Sequence, residues 1–365
     1  MKKRNLHRKR NPVYCTLRRA LILTLVVFFL PAAVFGRTAR AEEPSEPEPA
    51  AVAEAEETAV TEEKEPAEEA ASDRSDAAPA SDSKSVTLKV KMGDQVKTME
   101  LEEYLWGVVA AEMPAAFEQE ALKAQAIAAR TYTLYRMENP SPNHTKADIC
   151  TDSTCCQAWI SYDDRMEAWS GSKGKEYAQK ITTAIEETRG QVIYYQDEPI
   201  MAAFHAAGAG MTKGAEEVWG KDVAYLQAVK SPETGDQVPN YYSVVTVTAA
   251  EFRQKLVSRY PEAELGKTPE KWFGKVSYDD GGLPVSIKIG GQDVPTSVLR
   301  SLFELRSASL TVECDGENVT FYVTGYGHGV GMSQYGANAM AKEGKSAKAI
   351  LEHYYTGVEI RSMDR

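Results

Sequence analysis

The sequence predicts an α+β protein in which a membrane segment and a disordered linker precede one large mixed α/β region. In that region, hairpins are expected to pack around a central Ala-rich helix. Three observations favour this fold class: a single apolar run near the N-terminus, an acidic segment without aromatic residues, and helical and strand patterns that alternate irregularly afterwards. A chain of 365 residues with 43% hydrophobic residues can bury a large core.

Charge is distributed unevenly along the chain. Residues 1–41 carry ten Lys and Arg and no acidic residue, whereas residues 42–85 carry fifteen acidic residues and three basic ones. The formal net charge of −11 argues against nucleic acid as the main partner. Five cysteines at irregular spacing are too few for a disulfide scaffold.

The N-terminal part is interpreted as a basic leader (1–19), a transmembrane anchor (20–36) and a disordered acidic linker (37–85). The apolar run is at the short limit for crossing a bilayer, and the long basic leader favours an uncleaved anchor with the leader in the cytoplasm. The alternative is a cleaved secretory signal processed near Ala41. In either case the rest of the chain is expected to work outside the cytoplasm. The linker has too little apolar surface to fold and would serve as a spacer.

The folded region (86–365) opens with a predicted hairpin that leads directly into a helix over 101–112. At 100° per residue, Glu112 falls on the same stripe as Leu101, Leu105 and Val108. Pro114 forces the helix to stop there. Desolvation and the negative end of the helix dipole both raise the pKa of a carboxyl group in that position, as a general acid requires. The alternative is a carboxylate that caps the helix or pairs with a nearby base.

A second helix, over 118–137, is apolar almost all round and is expected to be the central one. Lys123 and Arg130 share one of its faces. On so apolar a helix, they are expected either to pair structurally with Glu112 or to bind a polar ligand.

A cluster of metal-ligand residue types follows this helix. His144, Cys150 and the vicinal pair Cys155-Cys156 lie within thirteen residues, and they can converge on one tetrahedral metal. The vicinal arrangement suggests that one of the two neighbouring cysteines is the ligand. A disulfide from Cys150 is the alternative, since the region is expected outside the cytoplasm.

Two histidines occur in Gly-rich loops. A predicted hairpin (191–195 and 200–204) ends at His205, and a strand that ends near residue 324 leads into a loop with alternating glycines around His328. The loop lacks the dinucleotide fingerprint G-x-G-x-x-G, so phosphate binding is not expected. Alternating glycines do allow a ligand to approach the backbone closely.

Together these motifs resemble the stage II sporulation protein D family, also described as the SpoIID/LytB domain. The resemblance covers essentially all of 86–365. The matching residues are Glu103-Tyr-Leu-Trp-Gly-Val-Val-Ala-Ala-Glu-Met-Pro114, Glu120-Ala-Leu-Lys-Ala-Gln-Ala-Ile-Ala-Ala-Arg-Thr-Tyr132, Phe204-His205 and Gly327-His-Gly-Val-Gly-Met-Ser-Gln-Tyr-Gly-Ala337.

The resemblance implies a lytic transglycosylase that cuts peptide-free peptidoglycan strands between N-acetylmuramic acid and N-acetylglucosamine and leaves 1,6-anhydro ends. It implies action during forespore engulfment, with a sporulation amidase or endopeptidase and a membrane protein as partners. Two alternatives are a non-catalytic enhancer of a cell-wall amidase and a zinc amidase or peptidase.

The resemblance also assigns residues. It makes Glu112 the catalytic acid, and it makes His144, Cys150 and Cys156 zinc ligands, at the His-x5-Cys-x5-Cys spacing of some members. It places five residues at the substrate: Lys123, Arg130, His205, His328 and Tyr335. The family's Ser-Gly-Gly after the Phe-His pair is Gly208-Ala-Gly210 in this chain, so a serine contact of the family is missing.

Overall fold

A computed structural model describes residues 85–169 and 171–363. The predicted leader, the anchor and the linker up to residue 84 lie outside these residues. Within the two described ranges, no helix is both long enough and apolar enough to cross a membrane.

The described residues form an α+β fold. Its α-helices are α1 (Leu101–Glu112), α2 (Gln119–Glu138), α3 (Tyr162–Ala168), α4 (Ser172–Glu187), α5 (Ala215–Trp219), α6 (Ala249–Arg259), α7 (Thr296–Phe303), α8 (Gln334–Lys342) and α9 (Ala347–Tyr354). The strands are β1 (Thr87–Met92), β2 (Gln95–Glu100), β3 (Ile149–Cys150), β4 (Gln191–Tyr195), β5 (Glu198–Pro199), β6 (Phe204–His205), β7 (Tyr242–Thr248), β8 (Phe273–Tyr278), β9 (Pro284–Ile289), β10 (Gln292–Pro295), β11 (Leu310–Cys314), β12 (Asn318–Thr324), β13 (Met332–Ser333) and β14 (Glu359–Ser362). Two short 3-10 helices cover Pro142–His144 and Pro269–Lys271.

Helix α2 is central, as the sequence predicted. It packs against α1, α4, α8, α9 and β4. Its alanines are buried and let the neighbouring helices approach closely: Ala121, Ala124, Ala126, Ala128 and Ala129. The core that surrounds α2 also takes up Leu101, Leu105 and Val108 from α1.

The first hairpin forms as predicted, with β1 antiparallel to β2 and in register from Thr87 opposite Glu100 to Met92 opposite Gln95. The second predicted hairpin is only half right. Strand β4 pairs with the two-residue β5 and with β14, while residues 200–203 are not in a strand. Strand β6 instead pairs in parallel with β13, so that His205 lies opposite Ser333. This long-range pairing carries the sequence motifs around residues 205 and 328 to one place.

Residues 242–324 build a second hydrophobic core. Two three-stranded sheets, with strand orders β11-β12-β7 and β10-β9-β8, pack with α6 and α7. Phe252 stacks on Phe303, with ring centroids 5.1 Å apart, and Phe303 lies 4.9 Å from Phe321. Aromatic packing therefore gives this part of the chain its own core.

Candidate functional site

Glu112 is the last residue of α1. Met113, which follows it, has extended backbone angles of φ −127° and ψ 135°, as expected for a residue before proline. The helix therefore ends where the sequence predicted. Glu112 itself is partly exposed, while the apolar residues of its stripe are buried.

Two hydrogen-bond donors hold the Glu112 carboxyl group. The Ala158 N–H donates to Oε1 at 2.6 Å, and the side-chain amide of Gln334 donates to the same carboxyl. Burial raises the pKa of Glu112, and the two donors, which favour the carboxylate, offset only part of that rise. A raised pKa and a fixed orientation are the properties that a general acid requires.

Gln334 is the first residue of α8, and it was not singled out from the sequence. Its Nε2 also lies 3.5 Å from Oε1 of the buried Gln125, which belongs to α2. Ser333, directly before it, caps α8 by accepting a hydrogen bond from the Gly336 N–H at 3.2 Å. Gln334 is therefore held at a fixed helix start, between α2 and the end of α1.

Tyr335 forms an aromatic contact close to this point. Its ring centroid lies 4.9 Å from that of Phe117, in an edge-to-face arrangement. Phe117 stands in the short segment between α1 and α2. The aromatic pair thus packs beside the end of the helix that carries Glu112.

Lys123 and Arg130 are both ion-paired, and neither is paired with Glu112. Nζ of Lys123 lies 2.7 Å from Glu120 and 2.7 Å from Glu187. The fully buried Arg130 guanidinium forms a bidentate pair with Glu102, at 3.0 Å from Nε to Oε1 and 2.6 Å from Nη2 to Oε2. Glu102, on α1, is therefore the ion-pair partner of Arg130. The predicted pairing of these bases with Glu112 is therefore wrong, and their role at a substrate stays a prediction.

His205 and His328 lie together, with ring centroids 5.7 Å apart. Nδ1 of His328 accepts from the Val330 N–H at 3.1 Å, and its ring also bonds the Phe204 backbone. Burial lowers the pKa of His328 to about 3 and that of His205 to about 4. Both imidazoles are therefore neutral at neutral pH.

One ring nitrogen of this histidine pair lacks a hydrogen-bond partner among the described residues. Nδ1 of His205 lies 3.2 Å from the Val330 carbonyl, so this nitrogen carries the proton and donates it. Nε2 of His205 is then a buried acceptor, without a hydrogen-bond partner among the described residues. The His328 ring is held by the backbone of Val330, in its own loop, and of Phe204, in β6, and its role at a substrate stays a prediction.

The predicted metal ligands come together. The donor atoms of His144, Cys150, Cys155 and Cys156 all lie within 4.8 Å of one another. Nδ1 of His144 bonds the Ala147 carbonyl at 3.0 Å, which leaves Nε2 facing the Cys156 sulfur at 3.2 Å. All four sulfur atoms of the described cysteines, including Cys314, are free thiols.

The donor set fits a divalent zinc ion. One imidazole and three thiols are the donors of closed Cys3His sites, and a backbone carbonyl orients the histidine as such sites require. Cys155 belongs to the set, although the sequence favoured a single ligand from the vicinal pair. Burial raises the pKa of the Cys150 thiol, and a bound cation would oppose that effect.

A buried carboxylate next to Ser333 was also missed from the sequence. Glu233 accepts hydrogen bonds from the Gly208 N–H at 2.6 Å and from the hydroxyls of Ser333 and Ser231, each at 2.5 Å. Ser231 in turn bonds the Tyr354 hydroxyl at 2.9 Å. No motif marks Glu233 in the sequence, because two of its partners, Gly208 and Ser333, lie 25 and 100 residues away in the chain.

Comparison with known proteins finds similar sequences over much of this chain. A family model described as "Stage II sporulation protein" matches residues 90–195, which include Glu112 and the metal-ligand cluster. The chain is 38% identical over 271 residues to the "Stage II sporulation protein D" of Bacillus subtilis, covering 74% of this chain and 76% of that protein. It is also 30% identical over 308 residues to the "Amidase enhancer" of Bacillus subtilis, covering 71% of this chain and 40% of that protein.

Proposed function

The chain belongs to the stage II sporulation protein D family, and from this premise we propose that it is a lytic transglycosylase of peptidoglycan. Its substrate would be peptide-free glycan strands, cut between N-acetylmuramic acid and N-acetylglucosamine during forespore engulfment. The observation that carries the proposal is the environment of Glu112: a carboxyl group with a raised pKa, fixed by Ala158 and Gln334 at the end of a helix.

The chemistry requires one carboxyl group that works twice. Because the Ala158 N–H occupies Oε1, the proton of Glu112 is favoured on Oε2. Glu112 donates this proton to the glycosidic oxygen while the bond to the muramic acid anomeric carbon breaks. The resulting carboxylate takes the proton of the sugar's own 6-hydroxyl, whose oxygen bonds to the anomeric carbon. The products are a 1,6-anhydro end and a free N-acetylglucosamine end, and no water is consumed.

A second carboxylate is not needed for this reaction. Hydrolytic glycosidases use two carboxylates, one of which activates water or attacks the sugar. In the ring closure, the 6-hydroxyl replaces both the water and the attacking carboxylate. Glu112 alone is therefore sufficient as the acid and the base.

The direct test replaces Glu112 by Gln in the full chain, held in detergent micelles. Glu138→Gln is the matched control, because Glu138 is likewise the last residue of its helix but is exposed. Mass spectrometry of peptide-free strands should show anhydro-ended fragments from the parent and from the control, and none from Glu112→Gln. Undiminished release by a folded Glu112→Gln protein would contradict the proposal.

A second candidate function is activation of a cell-wall amidase. The similarity to a protein named "Amidase enhancer" favours it. In that case the purified chain would release no fragments by itself but would raise the turnover of a partner amidase. A sporulation amidase or endopeptidase and a membrane protein of the engulfment machinery are the partners we propose, with the chain anchored by residues 20–36 and its C-terminal region outside the cytoplasm.

We also propose zinc at His144, Cys150, Cys155 and Cys156. With four protein donors, no position stays open for a water, which favours a structural ion over the zinc amidase or peptidase alternative. A bound zinc ion would cross-link the loop that follows α2, which carries all four ligands. Ala158 stands two residues after Cys156, so the cross-link would fix the N–H that holds Glu112.

A further inference from the structure

A groove with a volume of about 690 Å³ lies beside α1, in the size range of small-molecule binding sites. Residues of β2, α1, α4 and the segment 159–163 line it. Its walls include three aromatic side chains: Trp106, Trp159 and Tyr162. Neither Glu112 nor the metal-ligand cluster lines this groove, so the chemistry described above leaves it unused.

The aromatic rings form a row at the protein surface. The Trp106 ring centroid lies 4.8 Å from that of Tyr162 and 6.4 Å from that of Trp169. Nε1 of Trp106 donates to Thr182 at 3.2 Å, which fixes the orientation of the indole. Tyr162 is 53% exposed, so its ring is available at the surface. Pyranose rings have apolar faces that pack on such rings, while their hydroxyls remain free to bond with polar residues.

The groove and Glu112 share one short segment of backbone. Ala158 binds the Glu112 carboxyl, and the next two residues, Trp159 and Ile160, line the groove. The Ile160 N–H donates to the Gly107 carbonyl at 3.2 Å, so the segment runs along α1. A Cβ at position 107 would collide with the Trp159 indole. Glycine at this position therefore lets Trp159 lie against the helix that carries Glu112.

The charges of the groove restrict its occupant. Charged side chains line the groove: the carboxylates of Glu103, Asp163 and Glu186 and the bases Lys97 and Arg189. Within the described part of the chain, none of these five side chains forms an ion pair. Free carboxylates accept hydrogen bonds from sugar hydroxyls and acetamido N–H groups. The bases Lys97 and Arg189 can pair with the lactyl carboxylates that muramic acid residues carry once their peptides are removed.

We propose that this groove binds a peptide-free stretch of the glycan strand next to the bond that Glu112 cuts, with Tyr162 and Trp106 as stacking platforms. The assignment rests on the proposed glycan-cleaving function. In this assignment the sugar rings contact the aromatic side of α1. Lys123 and Arg130, whose charges are already paired, are not required for these contacts.

The test measures binding of tetra-N-acetylchitotetraose, a neutral N-acetylglucosamine oligomer, to the full chain in detergent micelles by calorimetry. Tyr162→Ala removes an exposed ring and should raise Kd about ten-fold. Tyr162→Phe keeps the ring and should bind like the parent. Tyr278→Ala removes an equally exposed tyrosine from β8 and should leave Kd unchanged. Circular dichroism would verify that each variant is folded.

Three results would overturn the assignment: equal Kd values for Tyr162→Ala and Tyr278→Ala, no binding of the oligosaccharide by the parent, or tighter binding of a free stem peptide. Fragment release from peptide-free strands is measured on the same proteins. Release that depends on Glu112, together with unchanged Kd in Tyr162→Ala, would reject the groove and retain the enzyme. Weaker binding in Tyr162→Ala without any release would reject the enzyme and retain the groove as a glycan-binding site.

Discussion

The buried Arg130 offers the sharpest test of which residues hold the fold and which serve the substrate. Its guanidinium is fully buried, and both oxygens of Glu102 bind it. Glu102→Gln keeps the shape of the side chain but removes the compensating charge. Backbone carbonyls of Gln191 and Ile185, at 3.3 and 3.5 Å, are the other acceptors of this guanidinium, and they are neutral.

The expected loss of stability is large. Breaking a buried ion pair by removing one partner costs roughly 3–5 kcal/mol, because the other charge stays buried without compensation. Glu102 is 17% exposed, so water can partly solvate the site, and the lower end of this range is expected. A loss of about 3 kcal/mol is a substantial part of a typical stability of roughly 5–15 kcal/mol. The melting temperature should fall by roughly 6–12 °C.

Urea unfolding followed by circular dichroism measures this loss. Glu251→Gln is the matched control: it breaks the exposed pair of Glu251 with Lys255, which is worth at most about 1 kcal/mol. Surface substitutions usually change the unfolding free energy by no more than about 0.5 kcal/mol. The reasoning would be refuted if the unfolding free energies of Glu102→Gln and of the control differed by less than about 0.5 kcal/mol.

A double variant then separates the two roles of Arg130. Glu102→Leu combined with Arg130→Met replaces both charges by apolar groups of similar size, which is often neutral for stability. If Arg130 only supports the fold, this variant should unfold like the parent and release fragments with an unchanged KM. A stable double variant with a strongly raised KM would place Arg130 at the substrate after all.

The remaining predictions concern protonation and metal. Gln334→Leu removes a donor that lowers the pKa of Glu112. In the proposed mechanism the protonated Glu112 is the active form, and its pKa should be higher in this variant. The basic limb of the pH–activity profile should therefore move to higher pH. An unchanged basic limb would exclude the hydrogen bond between Gln334 and Glu112. Elemental analysis should find about one zinc per chain in the parent and in Cys314→Ser. Cys155→Ser should lose zinc to a chelator more readily, and equal retention would limit the ligands to three.

The features that could be predicted from the sequence are the local ones. The stripe of α1 and its stop at Pro114 follow from helical periodicity and from proline's geometry. Spacing therefore placed Glu112 correctly at the end of the helix, whereas its catalytic role was assigned by the family resemblance and stays a prediction. The Ala-rich pattern also identified α2 as central, since such a helix has no polar face to expose. The spacing of His144 and the cysteines identified the metal-ligand cluster, apart from the part played by Cys155.

The features that could not be predicted depend on residues that are distant in the chain. Arg130 was expected near Glu112, but its partner is Glu102, on another helix. Periodicity places a side chain on a face and does not say which element covers that face. Residues 200–203 likewise read as a continuous strand, yet the pairing of β6 with β13 takes the chain elsewhere. Gln334 is separated from Glu112 by more than two hundred residues and carries no recognisable ligand pattern.

The position of Gln334 follows from a chain of buried contacts that begins at Glu233. This carboxylate holds the hydroxyl of Ser333, and Ser333 caps α8 one residue before Gln334. Gly336 makes the arrangement feasible, since a Cβ there would collide with the Tyr354 hydroxyl. Each of these contacts restricts rotation at the start of α8. The side-chain amide of Gln334 is therefore already positioned at Glu112 before a substrate binds. Because Ala158 follows the metal-ligand cluster and Gln334 follows this network, two independent supports converge on one carboxyl group. The acid and base role proposed for Glu112 would need this fixed orientation at both proton transfers.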